Sequence, residues 1–132
     1  MKVLRWVLYW GAGIWAASGV VLALVPAVVL EDLFGQSALR EYAWVRMVGI
    51  LIVGMALLMV LVARRIEELW WWSWAFVLTG AGIAVLSGLN AAIGTPSGSP
   101  TFLWWLLAGV TGLFTAGLVA GLAKAGTERS PI

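Results

Sequence analysis

The amino-acid sequence contains neither cysteine nor histidine among its 132 residues. Without cysteine, the chain has no disulfide, no thiol redox couple and no thiolate metal ligand. Without histidine, it lacks the usual protein ligand of haem, copper and zinc, and the side chain that most often acts as a general base near neutral pH. We therefore expect no enzyme, no catalytic residues, no metal site and no cofactor.

Charged side chains are also scarce. Asp, Glu, Lys and Arg together make up 11% of the chain, against about 25% in an ordinary globular domain. The net charge of +2 is too small to indicate a nucleic-acid partner. Hydrophobic residues make up 63% of the sequence, and its mean hydropathy is +1.02. A chain this short cannot bury so much apolar surface in its own interior, so we expect membrane lipid to surround it.

Apolar segments long enough to cross a membrane occur four times, since about 20 helical residues span a hydrocarbon core about 30 Å thick. We place them at residues 4–29, 41–62, 69–93 and 101–123, separated by EDLFGQSALR, ARRIEE and GTPSGSP. The first contains an uncharged run from Trp6 to Val25 that exceeds the roughly 7–15 residues of a signal-peptide core, so we expect it to be retained. The predicted fold is all-α: a single domain, residues 1–132, forming an up-down bundle of four transmembrane helices.

The basic residues predict the orientation of the bundle. Six of the eight lysines and arginines fall on one side of the predicted spans, and Arg40 and Arg46 fall on the other. The six are Lys2, Arg5, Arg64, Arg65, Lys124 and Arg129. By the positive-inside rule, both termini are cytoplasmic, and we predict a multi-pass protein of the inner (plasma) membrane.

Tryptophan is unusually abundant, with ten residues, and every predicted span begins with it. The indole ring prefers the boundary between hydrocarbon and water, so these residues are expected to anchor the helices and to form contact surfaces. Consecutive residues on a helix point about 100° apart, so the run WWWSW should send at least one ring inward and at least one toward lipid. The predicted anchor or interface tryptophans are Trp70, Trp71, Trp72, Trp74, Trp104 and Trp105.

Glycines recur in two similar segments, GAGIWAASG at Gly11–Gly19 and GAGIAVLSG at Gly80–Gly88. The similarity has two explanations. One is a duplicated two-helix unit, which would give a parallel repeat about an axis along the membrane normal. The other is chance, because glycine, alanine and isoleucine are common in membrane helices. In either case small residues let helices approach closely in lipid, so we assign Gly80 and Gly88 to helix interfaces.

Polar residues inside the predicted spans are few and therefore informative. Arg46 lies about one turn inside the second span, and two roles stay open for it: a site for an anion or lipid head group, or structural pairing and snorkelling to the interface. Asn90 and Ser87 lie toward the same outer side, Tyr42 shares a helix face with Arg46, and Trp15 falls near mid-membrane. These five residues are the predicted ligand-binding set.

Two motifs resemble the DoxX-like group of small bacterial four-helix membrane proteins. They are VPAVVLEDLFG after the first span and VRMVGILIVGMALL in the second. The matching positions are Pro26, Leu33, Phe34, Gly35, Arg46, Gly49 and Gly54. The resemblance implies a four-helix membrane fold and a loose link to membrane redox or stress-related complexes. The lack of histidine and cysteine argues against redox chemistry by this chain itself.

Two hypotheses for the function follow. The first is a non-enzymatic accessory or scaffold subunit that acts through helix–helix contacts, as a homo-oligomer or within a larger membrane complex. The second is a protein that binds or transports a lipid or small hydrophobic molecule in an outward-facing pocket around Arg46 and Asn90.

Overall fold

A computed structural model describes residues 2–34, 41–94 and 101–128, and helices make up nearly all of them. The α-helices are α1 (Lys2–Leu24), α2 (Ala43–Arg64), the single turn α3 (Ile66–Leu69), α4 (Trp74–Leu89) and α5 (Phe102–Glu128). A 3₁₀ turn, Trp70–Ser73, joins α3 to α4, and π-helical segments follow α1 and α4 at Val28–Leu33 and Asn90–Gly94. No strand occurs within these described ranges.

Four helical stretches are long and apolar enough to cross a membrane: Lys2–Leu24, Ala43–Arg64, Ile66–Gly94 and Phe102–Thr127. They confirm the predicted all-α fold and its four membrane-length helices, and the chain is a multi-pass helical membrane protein. The third span begins earlier than predicted, because the helix is interrupted only at Arg65 (φ −114°, ψ 42°), so most of ARRIEE is helical. The glycine, proline and serine turn at 95–100 lies outside the described residues.

Helices α1 and α2 share the most extensive contact in the bundle, and their backbones touch where two glycines face each other. A Cβ atom added at Gly49 would lie 2.7 Å from the Gly19 carbonyl oxygen, and one added at Gly19 would lie equally close to the Gly49 oxygen. This contact holds the two helices at a distance that no larger residue permits.

An arginine links α1 and α2 at each end of this antiparallel pair. Near the start of α1, Arg5 Nε donates to the Ala63 carbonyl at the end of α2 (3.1 Å). Near the start of α2, Arg46 donates through a terminal guanidinium nitrogen to the Ala23 carbonyl at the end of α1 (2.9 Å). Terminal carbonyls of a helix have no partner within it, and a cation also interacts favourably with the dipole there.

Glycines also set the contacts of α5 with its two main neighbours. The Leu4 Cα on α1 would lie 2.8 Å from a Cβ atom added at Gly121. On α4, a Cβ atom at Gly80 would overlap Thr115 of α5. The helices are thus ordered α2–α1–α5–α4, and the third span meets α2 chiefly through the Trp70–Ser73 turn.

The tightest packing lies at the end of the bundle that carries the termini. Its fully buried side chains come from the start of α1, the end of α2, α3 and the second half of α5. The apolar ones are Leu4, Leu8, Met59, Ala63, Ile66, Leu118 and Ala125, and Ser73 in the turn after α3 is also fully buried. The outward faces of all four spans carry exposed apolar side chains such as Leu51, Leu78 and Leu113, as expected for helices surrounded by lipid.

Candidate binding cavity

A cavity of about 340 Å³ lies between the helices, from mid-bundle toward the end opposite the termini. Helix α1 contributes Ile14, Trp15 and Ser18 to its walls, α2 contributes Ile52, and α4 contributes Ile83. The largest share comes from α5, with Leu103, Leu106, Leu107, Val110 and Thr111, and Phe34 lines it after the first π-helical segment. All four spans therefore surround this space, and none of these lining residues is charged.

The hydroxyl groups of the cavity wall are bonded within their own helices. Ser18 Oγ donates to the Ile14 carbonyl (2.8 Å), and Thr111 Oγ1 donates to the Leu107 carbonyl (2.7 Å). This back-bonding is the usual arrangement for such residues inside a helix. Because both protons are engaged, the wall offers hydrocarbon surface and hydroxyl lone pairs, which suits an apolar ligand.

Two aromatic residues of the cavity wall, Trp15 and Phe34, each contact a second aromatic ring. Trp15 is 7% exposed, and its ring centroid lies 6.0 Å from that of Phe114. Phe34 meets Trp104 edge-on, with centroids 4.8 Å apart. The Trp104 Nε1 atom is buried and has no hydrogen-bond partner among the described residues, which is uncommon for a buried indole.

A second cavity, which we call the α1–α5 groove, adjoins the first on the side toward the termini. It has a volume of about 480 Å³ and is lined by Trp6, Val7, Trp10, Gly11, Leu113, Phe114 and Gly117. Ile14, Trp15 and Val110 line both spaces. The groove is open to the outside along exposed Trp6 and Trp10, so lipid has lateral access to the interior.

The structure distributes the five predicted ligand-binding residues over different places. Trp15 lines both spaces, whereas Arg46, Asn90, Ser87 and Tyr42 line neither. Arg46 is exposed and donates a hydrogen bond to the Ala23 carbonyl at the end of α1. Ser87 is buried on α4, Asn90 begins the second π-helical segment, and Tyr42 precedes α2.

Most of the cavity wall was not predicted as a site. Ile83, Ile52 and the leucines of α5 look like any lipid-facing residue in a sequence, so no pattern distinguishes them. Thr111 was detectable in principle, because it is a hydroxyl residue in the middle of an apolar span and is followed one turn later by Thr115. Phe34 was singled out in the sequence only because it matches a motif of the DoxX-like group.

The tryptophan run divides between inside and outside, as the helical spacing predicts. Trp70 is 4% exposed and Trp72 is 67% exposed. Trp71 lies edge-on to both Trp70 and Trp74, with centroids 5.4 and 6.0 Å away. On α5, Trp104 is half-buried and Trp105 is exposed. Gly80 is buried against α5, and a Cβ atom at Gly88 would lie 4.0 Å from the Ala108 Cβ atom.

Comparisons of the chain with protein-family models, with curated proteins and with solved structures gave no match. The resemblance to the DoxX-like group therefore stays a prediction from its short motifs. Among the described residues, no group of three or more His, Cys, Asp or Glu side chains is placed to hold a metal ion.

Proposed function

We propose that this membrane protein binds a lipid or another hydrophobic molecule in the cavity between its four helices. The supporting observation is the contrast between the two ends of the bundle. One end has a core of fully buried side chains, whereas the other contains a partly open space of about 340 Å³ with an uncharged wall. Helices in a protein normally pack with few gaps larger than a water molecule, so an apolar space that is open to lipid is suited to a hydrocarbon guest.

The proposal changes the site predicted from the sequence. The ligand lies beside Trp15, Phe34 and Thr111 rather than at a polar mouth formed by Arg46 and Asn90. The role is binding, with no reaction by the chain itself, because the sequence contains neither histidine nor cysteine. The protein lies in the inner (plasma) membrane with both termini in the cytoplasm, as the distribution of its basic residues supports.

Photolabelling of the protein in vesicles with a diazirine-bearing fatty acid tests this proposal. The variant Ile83→Phe adds volume at the cavity wall, and the matched control Leu78→Phe adds the same ring on the exposed face of α4. We expect the wild type and the control to be labelled at Phe34, Ile83 or Thr111, and the Ile83→Phe variant to lose most of this labelling. Circular dichroism must show equal helicity for all three proteins.

The opposite result is labelling that follows lipid exposure alone. If Leu51 and Leu78 are labelled while the cavity wall is not, or if Ile83→Phe changes nothing, the cavity is not a binding site.

A subunit role is the second candidate, because α1 carries an open notch on its outer face. Trp6, Tyr9, Trp10, Gly13, Ile14 and Ala17 line this notch of about 420 Å³. A Cβ atom at Gly13 would meet nothing within 4 Å, so another helix could approach there. Gly13→Ile should then change the number of subunits in the complex, as measured by native mass spectrometry. Val21→Ile, on exposed α1 surface outside the notch, should leave that number unchanged. The same subunit composition for both variants and the wild type would exclude this interface.

A further inference from the structure

We infer that the ligand is a single anionic phospholipid. Its head group lies between Lys2 and Lys124, and one acyl chain runs along the α1–α5 groove into the central cavity. This inference rests on the function proposed above, since it names the occupant of the same cavity. It adds the class of lipid, the direction in which the acyl chain runs, and the two lysine side chains that select the head group.

The groove and the cavity adjoin at Ile14, Trp15 and Val110, which line both, and an acyl chain would pass from one space to the other there. Trp6 lines the part of the groove nearest the termini, and Ser18 lines the central cavity beyond the junction. These two residues of α1 are separated by about 18 Å, at about 1.5 Å per helical residue. A path of this length covers more than half of a hydrocarbon core about 30 Å thick, which fits an extended chain better than a compact molecule.

The lining of this path contains no group that would hold a charged head group. No charged residue lines either space. The hydroxyl protons of Ser18 and Thr111 are already bonded to carbonyls of their own helices. A charged or strongly polar group inside hydrocarbon costs several kcal/mol when it has no partner. The head group therefore stays outside, at one end of the path.

Two lysines flank the end near the termini. Lys2 precedes Trp6 by one turn of α1, and Lys124 follows Gly117 by two turns of α5, so each shares a helix face with one residue of the groove wall. The ends of α1 and α5 are adjacent there, because Leu4 packs directly against Gly121. Both lysine side chains are exposed. Their ammonium groups are thus available to a phosphate at the mouth of the groove.

The other end of the bundle, which also carries Arg46, has carboxylates next to the cavity. Glu31 and Asp32 lie in the π-helical segment directly before Phe34, which lines the cavity. Carboxylates repel an anionic head group, so charge complementarity selects the end with Lys2 and Lys124. The acyl chain then enters at Trp6, passes Trp15 and ends beside Thr111 and Phe34.

Two phospholipids with the same chains test the inference: phosphatidylglycerol and phosphatidylcholine, each with a diazirine at the end of one chain. The protein is purified in mild detergent, exchanged into mixed micelles with either lipid and studied by native mass spectrometry and photolabelling. We expect retention of phosphatidylglycerol, with labels at Phe34, Ile83 or residues 103–111. Lys2→Gln with Lys124→Gln should lower its retention about 25-fold, at about fivefold per lysine.

The matched control is Arg64→Gln with Arg65→Gln, which removes the same charge from exposed positions at the same end of the bundle. It should leave the retention of phosphatidylglycerol within about twofold of the wild type. Val110→Phe narrows the junction of the two spaces, and should abolish labelling beyond it without changing the lysine dependence. Val119→Phe, on exposed α5 surface, is its control.

The outcomes separate this inference from the proposed function. If both lipids label the cavity equally and the lysines have no effect, the cavity binds hydrocarbon but the anionic head-group site is wrong. If phosphatidylglycerol depends on the lysines but its chain end labels only exposed residues outside both spaces, such as Leu78, the path into the cavity is wrong. If neither lipid labels the cavity wall, both the inference and the proposed function fail.

Discussion

Single glycines decide how closely α1 and α2 approach, and two of them on α2 have opposite surroundings. A methyl group at Gly49 would meet the backbone of α1, namely the Gly19 oxygen and the Ala23 nitrogen at 2.7 and 2.8 Å. Backbone atoms cannot move aside as the end of a long side chain can. A methyl group at Gly54 would meet nothing within 4 Å. Position, rather than the residue type, therefore determines what glycine contributes here.

We predict that Gly49→Ala destabilises the protein and that Gly54→Ala does not. Separating the two helices costs about 1–3 kcal/mol, as in other overpacked sites. Alanine at Gly54 should be neutral or stabilising by up to about 1 kcal/mol, because alanine favours the helix. Unfolding by sodium dodecyl sulfate in mixed micelles, followed by circular dichroism, measures both. Equal midpoints for the two variants would show that the Gly19–Gly49 crossing does not form.

At the scale of helices, α1 and α2 form a hairpin in which an arginine side chain donates a hydrogen bond to a backbone carbonyl at each end. Each helix has an arginine near its start that donates to a carbonyl near the end of the other, Arg5 to Ala63 and Arg46 to Ala23. Such a bond satisfies an acceptor that its own helix leaves unpaired. The arginines thus stabilise the pairing of the helices besides carrying charge.

We predict that Arg5→Gln and Arg46→Gln each destabilise the protein by about 1 kcal/mol, because a partly exposed hydrogen bond at a helix end is worth about this much. The two bonds lie at opposite ends of the hairpin, so the double variant should show the sum within about 0.5 kcal/mol. Unfolding midpoints in mixed micelles provide the measurement, with exposed Arg64→Gln as the control. A midpoint for Arg46→Gln no lower than that of the control would contradict a capping role.

The helices themselves were largely predictable from the sequence, because hydropathy over about 20 residues reports a requirement of the bilayer rather than of packing. The residues at which the helices begin and end were harder to predict. A single residue, Arg65, separates α2 from α3, although the charged stretch around it looked like a loop. The π-helical segments after α1 and α4 depend on the hydrogen bonds of individual turns, and the hydrophobic pattern contains no information about those.

The cavity was harder to predict than the helices, for a different reason. Arg46 and Asn90 were singled out because polar groups are costly in lipid, yet neither lines the cavity. Apolar residues that line a cavity and apolar residues that face lipid have the same composition and the same helical spacing. Only the three-dimensional arrangement distinguishes Ile83, on the cavity wall, from Leu78, on the outer face.

At the scale of the whole molecule, the two ends of the bundle differ in packing and in charge. The end with the termini is filled by buried aliphatic side chains, and its basic residues outnumber its acidic ones. The other end contains the cavity and the acidic residues Glu31, Asp32 and Glu41. From the positive-inside rule we predict that the packed end faces the cytoplasm, which would place the cavity in the outer half of the bilayer.

This orientation can be measured with single cysteines, since the natural chain has none to remove. Glu41 precedes α2 and Thr127 lies near the end of α5; both are exposed. In spheroplasts, we predict that an impermeant maleimide labels Glu41→Cys at once and labels Thr127→Cys only after permeabilisation. Leu58→Cys, on the lipid-facing side of α2, should stay unlabelled in both conditions. The reverse pattern would invert the bundle and place the cavity in the inner leaflet, whereas labelling of both positions from one side would contradict the three crossings that separate them in this fold.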